Sequence, residues 1–139
     1  MDMLIFSSLV LGASSNSDRY SYKAVLSLKQ NGYNVIAVGN KVGKVHGVPI
    51  TKTFPNTGLD TITIYLGKKN QLAYYEPILS SNARRIIFNP GAENNELATL
   101  ASKKGIEIVE GCTLVMLTLK QYWFYPSVIS KLPFSLRFK

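Results

Sequence analysis

The chain has 139 residues, 46% hydrophobic and 17% charged, which is the size and make-up of one domain able to bury a core. Sixteen lysines and arginines against eight acids give +8, but Lys120, Lys131, Arg137 and Lys139 place half of that excess in the last twenty residues, where no acid occurs. A membrane-spanning helix is excluded because no apolar run reaches roughly 18 residues, and an internal disulfide or cysteine-built metal site because Cys112 is the only cysteine.

In chain order, SSLVLGA (7–13) is an apolar run ending at glycine, and residues 18–31 set Tyr22, Val25, Leu26 and Leu28 among polar positions, so a strand, a turn and a helix are predicted. Gly32 closes that helix, and YNVIAVG (33–39), rich in β-branched residues, reads as a buried parallel strand that completes a βαβ unit. GKVHGVPITKTFPNTG (43–58) is punctuated by glycine and proline and is predicted to be a connection with one short strand at Val48 to Ile50. LDTITIYL (59–66) is the next strand, residues 69–81 a helix, RRIIFN (84–89) a strand, and NPGAEN a turn into a helix near Glu93 to Lys104. IEIVE (106–110) is the last strand, and GCTLVMLTLKQY holds a short helix. Strands alternating with helices predict a three-layer α/β fold, a mainly parallel sheet with helices on both faces.

In such sheets ligands lie beyond the carboxyl ends of the strands, where the strand order reverses. The residues following each strand are therefore the candidates. Gly12 permits a close turn, and the helix after it offers N-terminal amides suited to a phosphate, with Ser14, Ser15 and Asn16 as short donors. The plainer reading is that residues 15–18 only turn the chain and cap the helix. G-A-S-S-N-S lacks the second and third glycines of a dinucleotide fingerprint, and no Walker loop occurs. After the second strand stand Asn40, Lys41 and Lys44, where an NAD site has an acid; lysine is better matched to a phosphorylated ribose, as in NADP or coenzyme A.

The stretches G-A-S-S-N-S-D-R-Y-S-Y-K-A, A-V-G-N-K, T-I-T-I-Y-L, I-I-F-N-P-G-A-E-N and C-T-L-V together resemble the small stand-alone bacterial CoA-binding domain proteins. These are Rossmann-like domains similar to the CoA-binding domain of the succinyl-CoA synthetase α subunit, and the resemblance covers about residues 5–120. It implies that Gly12, Ala13, Ser14, Ser15 and Asn16 cradle the diphosphate of CoA or an acyl-CoA, with the helix starting near Tyr20 and with Arg19 and Tyr22 beside them. It implies that Asn40 and Lys41 hold the ribose and its 3′-phosphate, that Tyr65 and Leu66 flank the adenine, and that Asn89, Pro90 and Gly91 form the wall toward the pantetheine arm. The family often has a proline after the asparagine matching Asn40; here Lys41 follows directly.

The synthetase subunit needs a phosphorylatable histidine from a further domain; the single histidine here, His46, lies in the loop KVHGVP. Glu93 and Glu96 sit three apart at a helix start, where acids are favoured by dipole and capping. Cys112, at the ligand end of the last strand, is either a buried small residue or a thiol able to exchange with that of a bound coenzyme. No catalytic residue and no metal site is predicted. A non-catalytic CoA-binding module is expected, a carrier, sensor or partner subunit; the alternatives are an NADP-dependent oxidoreductase-like protein and an interaction protein on a Rossmann-like scaffold. The chain lacks the dense basic and aromatic track of nucleic-acid binding, and its start, MDMLIFSSLV, has no basic leader, so a cytoplasmic location is expected. The domain is expected to span 1–120, and 121–139, with YWFYPSVISKLPFSLRFK too apolar for a solvated tail, to pack on its own domain or on a neighbouring subunit.

Overall fold

The computed structural model describes residues 7–55 and 58–122. In chain order they form β1 (Ser7–Leu11), α1 (Tyr20–Gln30), β2 (Asn34–Val38), β3 (Gly43–Val45), β4 (Val48–Thr51), β5 (Leu59–Ile64), α2 (Lys68–Gln71), α3 (Tyr75–Leu79), β6 (Arg85–Phe88), α4 (Asn95–Lys103), β7 (Glu107–Glu110) and α5 (Thr113–Thr118). A 3-10 turn at Leu72–Tyr74 joins α2 to α3.

The sheet runs β3-β4-β2-β1-β5-β6-β7, and every neighbouring pair is parallel except β3 with β4. This is the expected Rossmann-like α/β architecture. Strands β1 and β5 are buried on both faces, so that even their polar residues, Ser7 and Ser8 on β1 and Asp60, Thr61 and Thr63 on β5, lie inside. Leu9, Leu11, Ile62, Ile64, Ile86 and Phe88 meet Ile78, Leu97 and Ala101 of α3 and α4 on one face. Val10, Ile87 and Val109 meet Val25 and Leu28 of α1 and Met116 and Leu117 of α5 on the other. Burying each such aliphatic side chain stabilises the fold by about 1.5–3 kcal/mol.

Two local predictions differ from the structure. The segment after β2 is an antiparallel hairpin, not a connection with one strand, and it places Lys44 on β3. His46 and Gly47 both take positive φ, 45° and 84°, as a two-residue primed turn requires. The helix expected over 69–81 is broken into α2, a 3-10 turn and α3. Pro77 accounts for the restart, since it has no N–H to bond back to the preceding turn and is tolerated only near a helix start. The tail reading falls almost wholly outside the described residues. Tyr122, at its beginning, is buried against the domain, its hydroxyl donating to Ser8 Oγ at 2.8 Å and its ring edge-to-face with Tyr33.

Candidate functional site

The chain leaves β1 toward β2 and the β3–β4 hairpin, then returns to the opposite side of β1 with β5. The connections after β1 and β5 therefore diverge at the carboxyl ends of adjacent strands, and a crevice must open between them. A cleft of about 950 Å³ lies there, within the range of cofactor sites. It is lined from β1 by Gly12, Ala13, Ser14, Arg19 and Tyr20, from β2 by Asn40 and Lys41, from β5 by Tyr65 and Leu66, and from β6 by Pro90. All ten were candidates from the sequence.

The loop after β1 is fixed by its neighbours. Gly12 has φ +94°, and a Cβ there would lie 3.0 Å from Leu66 Cδ2 and 3.3 Å from the Leu66 amide nitrogen. Buried Gly39 is equally constrained, since a Cβ on it would collide with the Ala13 carbonyl oxygen. The amides of Gly12 and Ala13 both donate to the Val38 carbonyl, at 2.8 and 2.9 Å. They hold the loop to β2 rather than facing a ligand, which corrects the expectation that this part of the loop cradles phosphate through its N–H groups. Asn16 N donates to Ser14 Oγ, Asp18 N to Asn16 Oδ1 and Arg19 N to the Asn16 carbonyl, so the residues expected to cap the helix turn the chain instead.

What this loop delivers is the amino end of α1. Its N-cap is Arg19, which makes no side-chain cap hydrogen bond, and its first turn holds no acid. Lys23 N is the first amide bonded back, to the Arg19 carbonyl. The amides of Tyr20, Ser21 and Tyr22 precede it and have no carbonyl within the helix to bond. Tyr20 and Ser21 line the cleft, so this partly positive end opens into it, and the charged residues of the lining are Arg19 and Lys41 together with one acid, Asp18.

The opposite wall is braced from behind. Gln71 is fully buried and its Nε2 donates to the carbonyls of Leu66 (2.8 Å) and Ala92 (2.7 Å), tying the loop after β5 to the loop after β6. Asn94 donates to Gln71 Oε1 and to the Tyr75 hydroxyl, both at 2.9 Å, and accepts from Leu97 N to cap α4. Tyr65 projects from the end of β5, and burial pushes its phenol well above the ordinary value; the neighbouring Cys112 adds to this, while Thr113 and Thr63 oppose it. It stays a neutral, largely apolar wall.

The remaining candidates lie elsewhere. Asn89 is 1% exposed and spent on the fold: Nδ2 donates to Thr63 Oγ1 (2.6 Å) and the Ile64 carbonyl (3.0 Å), and Oδ1 accepts from Thr113 N (2.9 Å). It joins β5, β6 and α5 beneath the cleft instead of lining it. Gly91 is an exposed turn residue, φ +92°, whose amide donates to Glu93 Oε1. Tyr22 packs toward the α1 face and edge-on to His46. Ser15 and Asn16 are exposed on the loop outside the lining, and Ser15 touches Gly43 closely enough that a Cβ there would lie 3.2 Å away. Cys112 is half-buried at the N-cap of α5, also outside the lining. Conversely, Asp18, Ser21, Gly39, Gly67, Asn70 and Tyr74 line the cleft without having been singled out as ligand contacts. The glycines follow strands and could have been found by that rule; Tyr74 arrives only through the broken helix. Among the described residues no group of three metal-ligating side chains occurs, and no helix is long and apolar enough to cross a membrane.

Known proteins share this arrangement. The crystal structure of an uncharacterized protein is 46% identical, covering 84% of this chain and 98% of that one, with a TM-score of 0.81. The structure of cell-free ID.343 from Thermus thermophilus (14% identity, 86% and 92% coverage, TM-score 0.73) and a hypothetical protein from Pyrococcus horikoshii OT3 (18%, 86% and 86%, TM-score 0.72) share the fold. Among proteins with curated descriptions, none matches. The sequence model of the CoA binding domain matches residues 7–118, from the first residue of β1 to the last of α5, and the chain belongs to that family.

Proposed function

We propose that the chain binds coenzyme A or an acyl-CoA in the cleft between the β1 and β5 loops and that it is a carrier, sensor or partner subunit without catalysis of its own. The observation that carries this reading is the uncapped amino end of α1, opening into the cleft that Arg19 and Lys41 line. Its free-ended amides suit a diphosphate. Ser14 and Arg19 supply further donors to the same group, and Asn40 and Lys41 face the ribose and its 3′-phosphate. Tyr65 and Leu66 flank the adenine, and Pro90 leads toward the pantetheine arm. The lining offers a fixed base, phosphate donors and apolar walls; His46 sits away from it on the β3–β4 turn. That supports binding rather than proton transfer.

Calorimetric titration with CoA, its form lacking the 3′-phosphate and NADPH tests the reading, with Lys41→Ala as control. CoA binds tightest, and removal of either the phosphate or the lysine weakens it about tenfold, the worth of a single exposed charge-assisted contact. Removing both does no further harm. Preference for NADPH would replace the proposal by the oxidoreductase-like one, and no binding to any of the three would leave an interaction protein.

A further inference from the structure

The end of the sheet away from the cleft holds a buried guanidinium whose two terminal nitrogens have no hydrogen-bond partner among the described residues. Strand register sets Ser8 of β1 opposite Thr61 of β5, and Thr61 opposite Arg85, which opens β6. Residues paired in this way project from the same face, so two hydroxyls and a guanidinium stand in one row. Arg85 is 0% exposed. Its Nε donates to Thr61 Oγ1 at 2.7 Å, and its guanidinium carbon lies 4.4 Å from the centre of the Tyr122 ring.

The Thr61 hydroxyl in turn donates a hydrogen bond to Asp60 Oδ2 at 2.7 Å, and Asp60 accepts from the other side from Arg84, Nε to Oδ1 (2.9 Å) and Nη2 to Oδ2 (3.1 Å). Asp60 is thus taken up by Arg84 and Thr61 and offers no oxygen to the guanidinium of Arg85. Glu107, opposite Arg85 on β7, is exposed. Nη1 and Nη2 of Arg85 are buried with no hydrogen-bond partner among the described residues.

Arginine cannot escape this by losing its proton. The Tyr122 ring offsets part of the charge, but Tyr122 carries a single oxygen where the guanidinium fork can engage two. The planar fork of Nη1 and Nη2 matches the two oxygens of a carboxylate. We propose that Arg85 is the receptor of a second site, at the amino ends of the strands, for one carboxylate-type anion, independent of the cleft. The carboxylate comes either from a small free acid or from an acidic side chain; outside the described residues the only acid in the sequence is Asp2.

Formate is the probe, added to the full chain in a buffer whose other anion is a bulky sulfonate at matched ionic strength. The expected result is a saturable rise in Tm that follows the same binding curve as a shift of the Arg85 Nε resonance in ¹⁵N spectra. Arg85→Gln abolishes the rise. If that variant does not fold, saturation of the wild-type Nε signal carries the test by itself. If Asp2 supplies the carboxylate, wild type is silent to formate and Asp2→Asn responds. An Nε signal unmoved by formate in both wild type and Asp2→Asn would overturn the proposal, as would an Arg85→Gln protein with the wild-type formate dependence.

Discussion

Helices α1 and α4 both begin just beyond the carboxyl end of a parallel strand, yet their amino ends are finished differently. At α4, Asn94 accepts from Leu97 N at 3.1 Å, Glu96 sits in the first turn, and the Asn94 amide is locked to Gln71 and Tyr75. At α1, Arg19 caps nothing and no acid follows. An absent cap forgoes about 1 kcal/mol of helix stability. One helix end is closed by the protein's own side chains and the other is not, and the open one faces the cleft.

The largest expected effect comes from moving the open end without touching the closed one. In Gly39→Ala the new methyl meets the Ala13 carbonyl, which must shift together with the loop carrying α1. Overpacking of this kind costs about 3 kcal/mol. Urea denaturation reads that loss, and CoA titration of the folded fraction shows affinity lost with it; a variant as stable as wild type would mean that the loop is not seated on Gly39.

Acid supplies a control at a carboxylate that, like the α4 end, is satisfied internally. Burial works against ionised Asp60, but hydrogen bonds from Arg84 and Thr61 prevail and hold its carboxyl below the usual range. Its folded value is below its unfolded one, so its contribution is complete above the unfolded pKa of about 3.9 and fades as pH falls toward the lower, folded value. Asp60→Asn costs about 2 kcal/mol at neutral pH, because it removes the partner of a half-buried guanidinium. Denaturation across pH 3–7 should show a steeper acid loss in wild type than in the variant, and equal slopes would remove Asp60 from the account.

Asn94→Ala tests the closed end. It loses a cap and two buried hydrogen bonds and is expected to lower stability by about 1.5 kcal/mol. CoA affinity should fall by less than about threefold, under 1 kcal/mol, since no Asn94 atom lines the cleft. A larger loss of affinity than of stability would show that the bracing of the far wall, not α1, governs binding.

The sheet and the position of its crevice were legible because local patterns carry them: the stretches 7–11, 34–38 and 59–64, rich in aliphatic and β-branched residues, and the glycines after them are readable without tertiary knowledge. So were the ten lining candidates, which follow from strand ends. What the sequence hid depends on partners far along the chain. Nothing near Gly12 and Ala13 announces that Val38 takes both their amides, and nothing near Asn89 says that Thr63 and Thr113 engage it. The hairpin was concealed by an unusual His-Gly turn in place of Asn-Gly. The break at Pro77 was visible, but its consequence, Tyr74 at the cleft, requires the three-dimensional path of α2 and α3.

The most direct measurement is Arg19→Asp, followed by thermal melting without ligand and by CoA titration. A carboxylate at the N-cap completes α1 as Asn94 completes α4, so Tm should rise, by an amount equivalent to about 1 kcal/mol. CoA affinity should fall at least tenfold, about 1.4 kcal/mol, because the amides are then occupied and the diphosphate meets a negative charge. Stability gained with affinity lost is the signature of an end left open for an anion. A variant that binds CoA as wild type does would contradict it, and the phosphate would have to be sought elsewhere in the cleft.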